Sequence, residues 1–261
     1  MRKVFTCGLL LALLPLCTAA EPLIPESLGV QARELMATVE ASSKAYDWTE
    51  SLVTEVGPRF AGSDGDRRAV QWALKTLQAA GLKNVRAENV TVPHWQRGSI
   101  RADIVSPHPH SLVATALGGS AATPAAGISA SVLALQSLDQ LEWTPDAEVK
   151  GRIVYFNAAM DRSMDGAGYG KVVPLRHRGP ALAARKGAKA VILRSVGTDH
   201  DRLAHTGSIR YEPGVPKIPA AAISAPDADL LDRLLARGAV TLRLHIGSRD
   251  LGTAVSANVI G

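Results

Sequence analysis

Residues 179–194 read GPALAARKGAKAVILR, and their rhythm decides the fold class. An alanine-rich helix over Gly179–Lys186 is stopped by Gly187, and Ala188–Arg194 follows as an apolar strand. The pattern then repeats downstream. Ile218–Ile223 is a second short apolar run. Pro226 sits at the first turn of the next helix, Asp227 and Asp229 complement its dipole, and Gly238 lies beyond its end. Leu230, Leu231, Leu234 and Leu235 share that helix's apolar face, and Val240–Ile246 closes the unit as a strand. Strand and helix in alternation predict an α/β protein.

Working outward toward the N-terminus, Arg152–Asn157 and Ile128–Leu135 read as further strands, preceded by a Gly/Ala/Pro-rich stretch over Gly118–Gly127. Before that the rhythm differs. A helix over Ser42–Val56 carries Trp48, Leu52, Val53 and Val56 at helical spacing and is stopped by Gly57-Pro58. Ser63 is a good N-cap, with Asp66 three residues on, for an amphipathic helix bearing Ala69, Val70, Ala73, Leu74 and Leu77. Strands are predicted over Asn84–Val92, Ser99–Val105, Ser111–Leu117 and finally Thr253–Gly261. A strand at the end of the sequence, with no turn after it, reads as the edge of an unfinished sheet that would pair with other chains and lower solubility.

Composition bounds the rest. The 261 residues are 46% hydrophobic and 20% charged, which excludes disordered, collagen-like and coiled-coil classes. The net charge is +5, scattered rather than blocked, and the tryptophans carry no basic interleaving, so no nucleic-acid partner is predicted. Met1-Arg2-Lys3, the apolar run Phe5–Cys17 and the small residues Thr18-Ala19-Ala20 form a secretory signal peptide with cleavage after Ala20. The run of about thirteen residues is too short to span a bilayer, so after cleavage no membrane association is expected and the protein is secreted or periplasmic. Both cysteines, Cys7 and Cys17, fall inside this leader, which excludes disulfides and thiolate sites from the mature chain. Residues 21–41 form an N-terminal extension, a propeptide candidate.

Local motifs carry little chemistry. His108-Pro109-His110 has no carboxylate nearby. His200 and His205 with Asp199 and Asp201 are the best local cluster, but no His-Glu-x-x-His or comparable helix pair accompanies them, and loop structure is the stronger reading. Ala61–Gly65 lacks the preceding strand that a nucleophile elbow needs. Gly166–Lys171 fits neither phosphate-binding pattern and reads as a flexible loop.

A resemblance adds what the local reading lacks. Gly57–Ser63 between two helices resembles the opening of the co-catalytic dinuclear zinc exopeptidases. Val92–Gly98, Leu193–Val196, His205-Thr206-Gly207 and Val215–Pro219 are similar to their plasma glutamate carboxypeptidase (carboxypeptidase Q) branch. The resemblance implies a partial zinc-exopeptidase α/β domain with an incomplete sheet, residues 42–126 plus 248–261, and an inserted protease-associated α+β domain over 127–247. It further implies two zinc ions that polarise the carbonyl and supply hydroxide, a glutamate as general base, and dipeptide or short-peptide substrates. The family's first metal motif, His-x-Asp, would follow a segment like Ala254–Ile260, so no catalytic, cofactor-binding or metal residue is assigned in this sequence. The 261 residues are accordingly expected to be the N-terminal portion of such an enzyme, inactive alone and binding no zinc. A homodimer is possible in that branch. The alternatives are a non-enzymatic protease-associated binding module and an inactive decoy.

Overall fold

A computed structural model describes residues 24–42 and 44–261. Residues 1–20, read above as a signal peptide with both cysteines, and the start of the extension lie outside the described residues. The chain divides into two compact units, one up to Thr54 and the other Glu55–Gly261. In the first, α1 (Glu26–Ser42) places Leu28, Leu35, Met36 and Val39 in solvent. The helix expected over Ser42–Val56 is α2 (Ala45–Ser51), continued by a π-helical turn over Leu52–Val56.

The second unit begins with α3 (Asp64–Ala79), capped as its sequence predicts. Ser63 Oγ accepts the Asp66 N–H at 3.2 Å, and Asp66 Oδ2 accepts the Gly62 N–H at 2.9 Å. The first bond satisfies a donor that the first helical turn leaves free, and the second ties down the residue before the cap. The chain then forms β1 (Arg86–Gln96), β2 (Ile100–Ser106), β3 (His110–Leu112), β4 (Ala114–Ala116) and β5 (Ile128–Leu135). Two short helices, α4 (Leu138–Trp143) and α5 (Asp146–Val149), lead to β6 (Ile153–Phe156). The remaining elements are α6 (Ala167–Arg185), β7 (Ala190–Arg194), β8 (Ala220–Ile223), α7 (Ala225–Leu235), β9 (Thr241–Ile246) and β10 (Arg249–Ile260).

Eight strands make one sheet in the order β3-β2-β9-β5-β6-β7-β8-β4, whose central members β5 to β8 run parallel. Both faces are covered, so these strands read as continuous apolar runs rather than alternating ones. Ile153, Tyr155, Ile192, Ile223, Leu242 and Leu231 of α7 pack on one side. Val154, Phe156, Val191 and Leu193 pack on the other with Val172 and Leu175 of α6 and Leu141 of α4. β1 and β10 form a separate antiparallel ribbon, with Arg86 opposite Ile260 and Gln96 opposite Arg249, and α3 lies against it.

Three expectations change. Residues 100–116 belong to the eight-stranded sheet, because β2 pairs with β9 and β4 with β8, so the sheet reaches well before residue 127. The Gly166–Lys171 stretch is no loop: α6 starts at Ala167 and runs through Pro174 and Pro180. Burial of Val172, Leu175 and Ala181 holds the helix together across both prolines. Finally, the last strand is longer than read and is paired along one side by β1. The other side has no strand partner among the described residues. The fold is mixed α/β.

Candidate functional site

The segment 195–219 joins β7 to β8 with little regular structure, and long irregular connections of this kind usually carry function. It is held closely. Ser195 Oγ donates to the Ile223 carbonyl at 2.7 Å and accepts the His205 N–H at 2.8 Å. His200 Nε2 lies 2.7 Å from Asp229 Oδ2, whose other oxygen accepts from Arg194 at 2.5 Å. Burial alone would raise the Asp229 carboxyl, but the His200 and Arg194 contacts outweigh it and hold it below the ordinary carboxylate value. Arg202 Nε donates to buried Asp227 at 3.0 Å, and His205 Nε2 sits 3.1 Å from Asp199. The turn at 206–210 rests on α6. Arg176 Nη1 reaches the Thr206 carbonyl at 3.5 Å, and the Arg210 N–H donates to the His177 carbonyl at 3.2 Å. Desolvation, helped by Arg176 and Arg210, holds the His177 imidazole below its usual value and so favours the neutral ring.

The sequence motifs meet beside this turn. Phe60, from the Gly57–Ser63 stretch, and Trp95, from β1, stand edge to face with centroids 5.7 Å apart. The Arg97 guanidinium lies 5.0 Å from the Phe60 centroid and 5.3 Å from that of Trp95. Its Nη1 donates to Thr206 Oγ1 at 3.0 Å, to Thr115 Oγ1 at 3.2 Å and to the Ala116 carbonyl. Trp95 Nε1 donates to the Ser120 carbonyl at 3.0 Å. Half-burial lowers the Arg97 value, yet a guanidinium stays charged at any physiological pH. Pro58, Phe60, Ser63, His94, Trp95 and Arg97 line an open cleft of about 450 Å³. An aromatic wall with a cation on it suits a ligand that combines apolar and polar groups. Sequence reading singled out the three stretches separately; Arg97 as their meeting point carried no local signal.

The histidine candidates do not converge. His200 and His205 each meet a single, different carboxylate, Asp229 and Asp199. Among the described residues no group of three or more His, Cys, Asp or Glu side chains could hold a metal ion. The described residues therefore do not fit the zinc centre that the family resemblance implies. Ser63 is an N-cap, and Gly166–Lys171 is the start of a helix.

No family model matches the sequence. Carboxypeptidase Q of Mus musculus is 36% identical over 219 residues, 84% of this chain but 45% of that protein. The chain thus spans about half the length of the curated relatives it matches. A solved peptidase M28 precursor from Shewanella amazonensis is 47% identical with a TM-score of 0.86, over 90% of this chain and 54% of that one. A zinc aminopeptidase from Bacillus subtilis is 20% identical with a TM-score of 0.54, a likeness of fold alone. Two branch motifs, His205-Thr206-Gly207 and Val92–Gly98, close on each other through Arg97 in a fold shared with these peptidases. The chain belongs to the zinc exopeptidase family of peptidase M28, in its plasma glutamate carboxypeptidase-like branch.

Proposed function

We propose that this chain is the N-terminal portion of an exported zinc-dependent exopeptidase that hydrolyses dipeptides or short peptides, with two zinc ions in the whole enzyme. The observation that carries the reading is the 47% identity and 0.86 TM-score to a peptidase M28 over 90% of this chain. The chain supplies α3 and the β1–β10 ribbon of the peptidase layer together with an eight-stranded protease-associated domain, and the metal ligands and general base belong to sequence outside these 261 residues. The 261-residue form alone is therefore inactive. Residues 1–20 direct export and 21–41 are a removable extension. Among the described residues no helix is long and apolar enough to cross a membrane.

The test compares the 261-residue chain with the longest open reading frame that contains it, each incubated with zinc and a dipeptide. Released amino acid is the readout. Hydrolysis by the long form alone, abolished by a chelator, is the expected result. Hydrolysis by the short form would overturn its inactivity. A folded, zinc-loaded long form that cleaves no dipeptide or short peptide would overturn the peptidase reading in favour of a binding module. N-terminal sequencing of the exported protein should begin at Glu21 or, once the extension is removed, near Ser42.

A further inference from the structure

The eight-stranded domain is joined covalently to the α3–ribbon layer at two points, between β1 and β2 and between β9 and β10, and each carries a glycine. Gly98 adopts φ +66°, and a Cβ on it would lie 2.0 Å from the Gly247 carbonyl oxygen. The Gly247 N–H donates to Ser99 O at 2.8 Å. The two linkers thus lie backbone against backbone at one spot, the geometry of a hinge. Two links sit close to that pivot: Trp95 Nε1 and Ser248 Oγ both donate to the Ser120 carbonyl, at 3.0 and 2.7 Å. One side chain reaches further on both sides. Arg97 packs on Phe60 and Trp95 of the ribbon layer and donates to Thr115, Ala116 and Thr206 of the eight-stranded domain.

The far side of that contact is itself built with care. The Thr206–Ser208 turn is carried on α6 by Arg176, which is 6% exposed and pairs with no carboxylate among the described residues. Its Nη2 is oriented by the Tyr169 hydroxyl at 2.7 Å, and its Nε has no partner. A Cβ at Gly207 would lie 2.2 Å from the Arg176 guanidinium carbon, so the turn lies flat on the guanidinium only because residue 207 is glycine. A buried cation without a carboxylate is costly, and its use here to hold a backbone carbonyl next to the Arg97 contact needs a reason beyond stability.

We infer that Arg97 is the clasp of a two-linker hinge: it sets the orientation of the eight-stranded domain on the α3–ribbon layer, and Arg176 positions the turn on which it closes. The guanidinium suits the task, because its plane can lie on aromatic faces while Nη1 at its edge donates to oxygens of the other domain, whereas a compact ammonium group offers no such plane to stack. Opening the clasp leaves two glycine-containing linkers, the two hydrogen bonds to Ser120 beside the pivot and the exposed Lys217–Asp250 ion pair at 3.9 Å.

The experiment uses the 261-residue chain with Cys7 and Cys17 changed to serine and spin labels at Lys75→Cys on α3 and Lys189→Cys before β7. Electron–electron distance measurement is expected to give one narrow distribution. Arg97→Ala should broaden it or add a second population, and exchange of the Gly247 amide should accelerate about tenfold or more, as loss of charge-assisted hydrogen bonds at a local opening implies. Arg97→Lys should fall between the two, and Thr206→Ala should shift in the same direction by less. Unchanged distances in a folded Arg97→Ala chain overturn the inference. So does faster exchange spread equally over the β6 and β7 amides, which marks a general loss of stability. If Arg97→Ala does not fold, Arg97→Lys and Thr206→Ala decide: unchanged distances in both overturn it, and broadening in both supports it.

Discussion

The strands β6 and β8 bury every residue they contain, whereas β1 and β10, several times longer, bury none. Strand propensity does not separate them, since buried β8 is three alanines and an isoleucine while exposed β1 and β10 hold several valines; what separates them is neighbours. The eight-stranded sheet has helices on both faces, so each apolar side chain leaves water on folding. The ribbon is two strands with one helix against it, and two-stranded ribbons are marginal without further packing. Length and strand propensity therefore say little about which part of this chain holds itself together.

The largest expected effect tests that contrast directly. Residues 99–247, excised and expressed alone, should unfold in one cooperative transition, because Ser99 and Gly247 already lie side by side and the core is internal. Residues 55–97 joined to 248–261 by a short glycine linker should show no cooperative transition by circular dichroism. A sharp melt from the second fragment would break the comparison. Within the packed region, Ile192→Ala removes a side chain that is 0% exposed and should cost about 2–5 kcal/mol in urea denaturation. A loss well below that would mean that the core relaxes around the cavity.

A smaller effect should come from the segment pinned to α7. The Asp229 carboxyl is held below its ordinary value, so its contribution is complete above the unfolded-state pKa of about 3.9. It is lost as pH falls through the lower folded-state value. The Tm difference between the protein and Asp229→Asn should accordingly shrink as pH drops below about 4. A difference that grows on acidification would reverse the assignment. The smallest effect belongs to the ribbon: Val255→Ala, at a side chain 62% exposed, should change stability by no more than about 0.5 kcal/mol. A cost comparable to that at Ile192 would show the ribbon face to be covered in solution.

Much of the architecture was legible locally. Ser63 caps its helix, Pro226 sits in the first turn of α7, and Ile128–Leu135 is the strand its apolar run predicts. The misreadings share a cause. Gly168, Gly170 and Pro174 carry breaker signals, yet α6 runs through them because Val172 and Leu175 are buried on the sheet. The eight-stranded sheet could not be placed to start before residue 127, because membership of β2 depends on its register with β9, Ala102 opposite Leu244, far along the chain. The terminal strand looked unpaired for the same reason, although Arg86 faces Ile260. At the site, the motifs around Phe60, Trp95 and Thr206 stood out one by one, but nothing in their spacing showed that a single guanidinium touches all three.

The sequence by itself determined the local elements, their caps, the alternation that makes this an α/β protein and the resemblance that places it among the zinc exopeptidases. Those signals live in residues a few positions apart, where helix and strand periodicity and capping hydrogen bonds act. Only the tertiary structure decided which strands share a sheet, that two glycine linkers cross at one point and that Arg97 spans the gap between them. Strand register and a guanidinium's fan of contacts are set by the closing of distant segments on one another, which no local period records.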